Sequence, residues 1–341
     1  MVQPVHMAAI ELDGVTKRFG EVEAVRDLTL EIPEGEIFGF LGPNGAGKST
    51  TINMILDFVR PTKGTIHVHG LDAQKRSVEV RARTGVLPEG YSVYERLTGR
   101  QHVEFAMESK EVEGDPVELL ERVGLEDAVD RKTGGYSKGM RQRLALAMAL
   151  VGEPDLLILD EPSTGLDPTG AREMREIIQS EVDRGATVFF SSHILEHVER
   201  VCDRVGVLHD GRLVAVDTIG GLQESLGGGA TVTVELDRPV ADAVDSLPAL
   251  EGVAEVVASG PVVEVTCAVP SAKAAVITRL DAAGATVLDV GIEDASLESL
   301  FSALTETGGS DRFRRGALDP DADGDASDGD DGALPDREVV A

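Results

Sequence analysis

Lysine is scarce in this chain. Eight lysines stand among 32 basic side chains, and 61 acidic ones oppose them, for a formal net charge of −29 over 341 residues and a pI near 4.5. The acids dot the whole length. A lysine-poor anionic surface suits very high salt, where self-repulsion is screened within about 3 Å at 1 M, so a halophilic source is expected. The same charge disfavours nucleic acid and anionic lipid surfaces as direct partners, since both attract basic patches. Cysteine is nearly absent. Cys202 and Cys267 fall in segments read below as different domains, so no disulfide framework is expected and a reducing cytoplasm fits. No apolar run approaches 18 residues, and no membrane-spanning helix is expected. Residues 1–6 lack the charged and apolar regions of a signal peptide, and Met7 offers an alternative start.

What is present begins at Gly42-Pro43-Asn44-Gly45-Ala46-Gly47-Lys48-Ser49-Thr50, a full match to G-x-x-x-x-G-K-[ST]. An apolar run at 36–41 precedes it and 51–56 follows, the strand–loop–helix setting that the motif requires. Glycines let the loop turn so that successive N–H groups face an anion, and the next helix adds its positive end. Lys48 is expected to reach the β and γ phosphates, with Ser49 offering its hydroxyl to Mg²⁺. Such a chain should bind a nucleotide.

Around that loop, short β-type runs at 8–12 and 28–32 come first, and then strands alternate with helices to about 218. Runs at 84–87, 156–160 and 186–191 read as buried strands. This alternation implies a mainly parallel sheet covered by helices. Residues 205–208 and 213–216, joined through Asp210-Gly211, make a hairpin. Composition then shifts. A linker is expected at 219–230, and 231–307 reads strand, helix, strand, strand, helix, strand, the split βαβ order of ferredoxin-like α+β domains. Past 308 the apolar periodicity ends and aspartates accumulate, which predicts a disordered acidic tail over 308–341.

Further marks stand at fixed places. The 156–160 strand ends on Asp160-Glu161, and ligands of open α/β sheets sit at that end. Asp160 is expected to hold Mg²⁺ and Glu161 to polarise an attacking water. Tyr136-Ser137-Lys138-Gly139-Met140-Arg141-Gln142 opens a nearly all-apolar helix. With these in place, residues 8–218 resemble the ATP-binding subunit of an ATP-binding cassette transporter. The resemblance implies a P-loop nucleotide-binding domain with a mixed, mainly parallel sheet, an antiparallel β subdomain and a helical subdomain. It implies that Ser137 and Gly139 contact the γ phosphate of ATP held by the opposite subunit, although Tyr136, Lys138 and Met140 depart from the usual L-S-G-G-Q. It also makes 163–167 the dimer-interface loop, His193 a switch histidine for the γ phosphate, and Phe19 the aromatic that stacks on adenine. The family's glutamine after the 84–87 strand is replaced by Glu89, a second carboxylate candidate for Mg²⁺.

Two other motifs compete. Gly135-Tyr136-Ser137-Lys138-Gly139 fits a hydrolase nucleophile elbow, but the polar 130–134 stretch supplies no preceding strand. His193 and His197 fit H-x-x-E-H, yet no third zinc ligand stands out. His197 reads instead as a helix-surface residue beside Glu196 and Glu199, and His67 and His69 as a solvated strand face. The resemblance further implies ATP hydrolysis, a separate transmembrane permease, and pairing with a second copy or a sister cassette. It places the chain on the cytoplasmic face of the membrane. The appended α+β domain resembles that of drug- and antibiotic-efflux cassettes, which favours export. A soluble nucleotide-dependent switch is the rival. A chromosome- or repair-type cassette would need coiled-coil insertions, and no heptad run interrupts 50–136.

Overall fold

In the computed structural model, residues 8–225 and 230–294 are described. A six-stranded sheet forms the centre. Five of its strands are parallel: β3 (Ile37–Leu41), β6 (Thr84–Leu87), β7 (Leu156–Asp160), β8 (Thr187–Ser192) and β9 (Arg204–His209). The sixth, β10 (Arg212–Thr218), closes one edge antiparallel, in the order β10-β9-β3-β8-β7-β6. All five residues of β3 and of β7 are buried, because both faces of this sheet are covered. Period-two alternation explains how. Phe38, Phe40, Leu156, Ile158 and Phe189 point into one apolar cluster, and Ile37, Leu41, Leu157, Leu159 and Phe190 into the other. Each such side chain stabilises the fold by about 1.5–3 kcal/mol when fully buried.

The first cluster is roofed by a smaller antiparallel sheet of order β2-β1-β4-β5. Its members are β1 (Ala8–Phe19), β2 (Val22–Pro33), β4 (Lys63–Val68) and β5 (Leu71–Asp72). Strand β1 runs seven residues beyond the apolar stretch at 8–12, because a bulge between Leu12 and Val15 shifts its register against β2 and breaks the alternation. The second cluster is covered by helices, among them α3 (Gly99–Lys110), α4 (Pro116–Arg122), α5 (Lys138–Ala149) and α6 (Pro168–Asp183). Helix α1 (Lys48–Ile55) follows β3, α2 (Ser77–Arg83) precedes β6, and the short α7 (Leu195–Glu199) follows β8. The stretch read as a linker starts differently: α8 (Ile219–Ser225) occupies its first half, with Leu222 buried in the helix-side cluster.

The C-terminal unit has a four-stranded antiparallel sheet, β12-β13-β11-β14, built from β11 (Ala230–Leu236), β12 (Val253–Ser259), β13 (Val262–Cys267) and β14 (Val287–Asp294). Helices α9 (Ala241–Ser246) and α10 (Pro270–Ala282) connect them. Val232, Val234, Val265, Val276 and Leu280 form its own core. The helix expected at 295–305 and the acidic tail lie outside the described residues. Cys202 and Cys267 are buried free thiols. Burial raises the pKa of both, which leaves them poor nucleophiles.

One histidine reading fails on β4. His69 follows the strand at φ 45° and turns its ring to Glu34 Oε1 at 2.9 Å, leaving its side chain 10% exposed. It is therefore no part of a solvated strand face with His67.

Candidate active site

The loop from Gly42 to Gly47 links the C-terminal end of β3 to α1. Gly47 caps the helix at φ 111°, and a Cβ there would meet the Ala24 carbonyl at 2.6 Å. Only glycine allows both the backbone turn and this approach of β2. Helix α1 carries no acid in its own first turn, so its positive end is left to groups outside the helix. A cavity of about 280 Å³ opens there, bounded by Asn44, Gly45, Lys48, Ser49 and Thr50 on one side and Glu89, Asp160 and Glu161 on the other.

Lys48 is buried. Its ammonium donates to the Gly42 carbonyl at 2.7 Å and the Pro43 carbonyl at 3.3 Å, and lies 4.0 Å from Glu161 Oε1. Burial lowers its pKa, opposed by the charges of Glu161, Asp160 and Glu89. Three carboxylates thus face one lysine around the cavity. A polyphosphate entering such a field needs a further cation beside it.

Asp160 and Glu161 stand at the end of β7, both buried. In the parallel register Asp160 lies beside Ser191 of β8, whose hydroxyl donates to it. Glu161 takes φ 53°, uncommon for a residue with a Cβ. Its Oε2 accepts from Thr164 Oγ1 at 3.1 Å, and its Oε1 lies 2.8 Å from His193 Nδ1. An ionised carboxylate only accepts, so facing one places the imidazole proton on Nδ1. The strained backbone and two side-chain contacts hold Glu161 in one orientation at the cavity wall.

The remaining predicted residues lie elsewhere. Ser137 caps α5, accepting from Met140 N at 3.2 Å, and it is exposed. Neither Ser137 nor Gly139 borders the Lys48 cavity. Phe19 sits at the end of β1, 49% exposed, with Lys17 Nζ 4.8 Å from its ring centre. It also lies outside that cavity's lining, whereas Ala24 of the neighbouring β2 is within it.

Sequence reasoning missed several supporting groups. Ser191 was recoverable, since parallel β7 and β8 that end together must bring it beside Asp160. Thr164 and the pairing of Ser163 Oγ with His197 Nδ1 at 2.9 Å were not. His197 is no free helix-surface residue: α7 folds back so that its ring meets the buried Ser163. Burial lowers its pKa, with Arg175 and His193 adding to the shift while Glu196 and Glu161 oppose it.

A phosphate loop at the head of a parallel sheet, facing an acid pair, defines a P-loop nucleoside triphosphatase. The profile of the family described as ABC transporter matches residues 25–164. The ABC transporter ATP-binding protein NatA of Bacillus subtilis is 39% identical over 226 residues, covering 63% of this chain and 92% of its own. The daunorubicin resistance ATP-binding protein DrrA2 of Streptomyces coeruleorubidus is 37% identical over 310 residues, covering 87% of this chain and 95% of its own. A solved dimeric ATP-binding cassette in a post-hydrolysis state, bound to ADP and Pi, superposes with a TM-score of 0.56 at 25% identity, covering 62% of this chain and 98% of that one. The chain belongs to the ATP-binding cassette transporter family, as an ATP-binding subunit that hydrolyses ATP.

Proposed function

We propose that two copies of this chain close head to tail around two ATP molecules, each site taking Lys48, Asp160, Glu161 and His193 from one copy and Ser137 and Gly139 from the other. One observation carries this reading. The nucleotide cavity lies against the phosphate loop and the acid pair, while Ser137 and Gly139 sit outside its lining at the N-terminus of α5. A helix start with a small hydroxyl and a bare backbone suits an anion, and a second molecule can bring one to it.

Mg²⁺ fits the donors present: the Ser49 hydroxyl and the carboxylates of Asp160 and Glu89 are all hard oxygens at the cavity. When bound, it neutralises phosphate charge that three carboxylates would otherwise repel. Backbone N–H groups of the loop and Lys48 hold the β and γ phosphates. Glu161 orients a water in line with the γ phosphorus and accepts its proton as the bond to the leaving oxygen breaks. His193, held by Glu161 through Nδ1, donates toward the γ oxygens from Nε2 when that nitrogen also carries a proton. Phe19 offers its ring face to adenine.

No helix among the described residues is long and apolar enough to cross a membrane, so the pore belongs to a permease chain. Its docking place is an apolar groove of about 430 Å³ that includes Phe58, Val86, Phe105 and Met148. Phe58 and Phe105 are 65% and 56% exposed, a patch suited to a short amphipathic helix. In this reading the chain is held at the cytoplasmic face of the membrane through that permease. Similarity to the daunorubicin resistance protein DrrA2, whose length this chain nearly spans, and to a Nod factor export ATP-binding protein favours export.

Glu161→Gln tests the central part. The variant should bind ATP, accumulate as a dimer, and turn over about 10²–10⁴-fold more slowly; a monomeric variant with normal turnover would refute the scheme. Phe58→Asp together with Phe105→Asp should abolish copurification with a polytopic membrane protein, and retained copurification would move the docking place elsewhere.

A further inference from the structure

The groove and the catalytic loop are joined by a short hydrogen-bonded path. Tyr91 borders both the apolar groove and the larger cleft beside Asp160 and Glu161. Its hydroxyl donates to Gln142 Oε1 at 3.1 Å. The amide of Gln142 donates in turn to the Pro162 carbonyl at 2.6 Å. Pro162 directly follows Glu161. Gln142 is 4% exposed, and it lies one turn into α5, the helix that Ser137 caps.

Each member suits this task chemically. A glutamine side chain can accept at one end and donate at the other, which no hydrophobic side chain of its size can do. Losing either partner leaves a buried polar group unpaired, a cost that keeps the path intact. Burial pushes the Tyr91 phenol up to about 12, so it remains a donor at any physiological pH. The loop carrying Tyr91 is itself pinned to α3, because Tyr94 N–H donates to the buried His102 Nε2 at 2.9 Å. Pro162 adds its own stiffness, as its ring fixes φ.

We infer that Tyr91 and Gln142 are positioning residues, forming a hydrogen-bonded relay that holds the Pro162 carbonyl and, through it, the backbone beside Glu161. The inference rests on Glu161 being the water-orienting group. Rotation of α5 or displacement of the 88–98 loop moves Gln142, and Gln142 moves the Pro162 carbonyl. Glu161, at φ 53°, then shifts relative to the γ phosphate. Neither Tyr91 nor Gln142 borders the Lys48 cavity, so the relay acts on turnover rather than on nucleotide affinity.

The test uses the full-length chain with Mg²⁺ and ATP and no permease. Tyr91→Phe removes a single oxygen, and Gln142→Met removes both polar ends at similar volume. Each should lower kcat about three- to tenfold, the worth of one misplaced hydrogen bond, with KM for ATP held within about twofold. Combined, they should be no slower than the slower single variant, because they interrupt one path. Gln142→Glu supplies a further readout that a packing role would not give. Its carboxylate cannot donate to Pro162, so the kcat ratio to the parent should be low near neutral pH and climb as acid protonates it. Normal kcat in Tyr91→Phe, fully multiplicative losses in the double variant, or a pH-independent ratio for Gln142→Glu would each overturn the relay. If Glu161→Gln also turned over normally, the catalytic reading itself would fall; a dead Glu161→Gln beside an unaffected Tyr91→Phe removes the relay alone.

Discussion

The two halves of the proposed site differ in how finished they are. Around Lys48 the buried charged side chains already have company: carbonyls for the ammonium, Ser191 for Asp160, Thr164 and His193 for Glu161. At the start of α5, Ser137 is exposed and its one hydrogen bond is to its own helix. A preorganised, buried half stabilises developing charge at little reorganisation cost. An exposed helix end waits for a charge brought from outside. In the proposed scheme the difference separates what one chain does alone, gripping nucleotide, from what two chains do together, cleaving it.

Substitutions on the two halves should therefore fail in different ways. The largest effect falls on Lys48→Ala, which should abolish ATP binding to the isolated chain in a titration; parent-like affinity would remove Lys48 from the phosphate contacts. Ser137→Ala should leave single-chain affinity intact and lower turnover, by about 10-fold or more for one lost phosphate donor. Lost affinity in Ser137→Ala would erase the contrast between the halves. Glu89→Gln has a smaller consequence. Removing one of three carboxylates should shift the Mg²⁺ concentration for half-maximal hydrolysis, and an unchanged profile would put Glu89 outside the metal's reach.

The smallest effect concerns His197, which links the 163–167 loop to α7. Its folded pKa lies below the ordinary value, burial being the main cause. The unfolded chain therefore takes up this proton first, and the stabilisation is present above about pH 6.5 and lost as pH falls toward the folded pKa. His197→Gln, which keeps a partner for Ser163, should show a shallower fall in Tm between pH 7 and 5 than the parent. Parallel curves would mean that His197 does not titrate in that window.

What could be read from the sequence depended on whether the message was local. Ser137 stood out through the family resemblance alone, whereas the phosphate loop and the Asp160-Glu161 strand are runs of a few residues whose meaning lies in their own spacing. Strands buried on both faces were legible for the same reason, as unbroken apolar runs. Strand β1 was only partly legible, because the bulge after Leu12 hides its continuation to Phe19. His69 and His197 were misjudged from their sequence neighbours, while their partners, Glu34 and Ser163, stand 35 and 34 positions away. Tyr91 and Gln142 meet across 51 positions, and no periodicity announces such a contact. The chemistry of the site is written in short motifs, and the contacts that support it join residues far apart in sequence.

Cross-linking puts the two-copy site to the most direct test. The native thiols are buried, so cysteines added at the surface react alone. Chains carrying Ser137→Cys are mixed with chains carrying Asn44→Cys, both in the Glu161→Gln background, and oxidised with and without Mg²⁺ and ATP. The account predicts a covalent dimer joining the two kinds of chain, formed only when nucleotide is present. Monomers alone under all conditions, with ATP binding verified, would contradict a site shared between two copies.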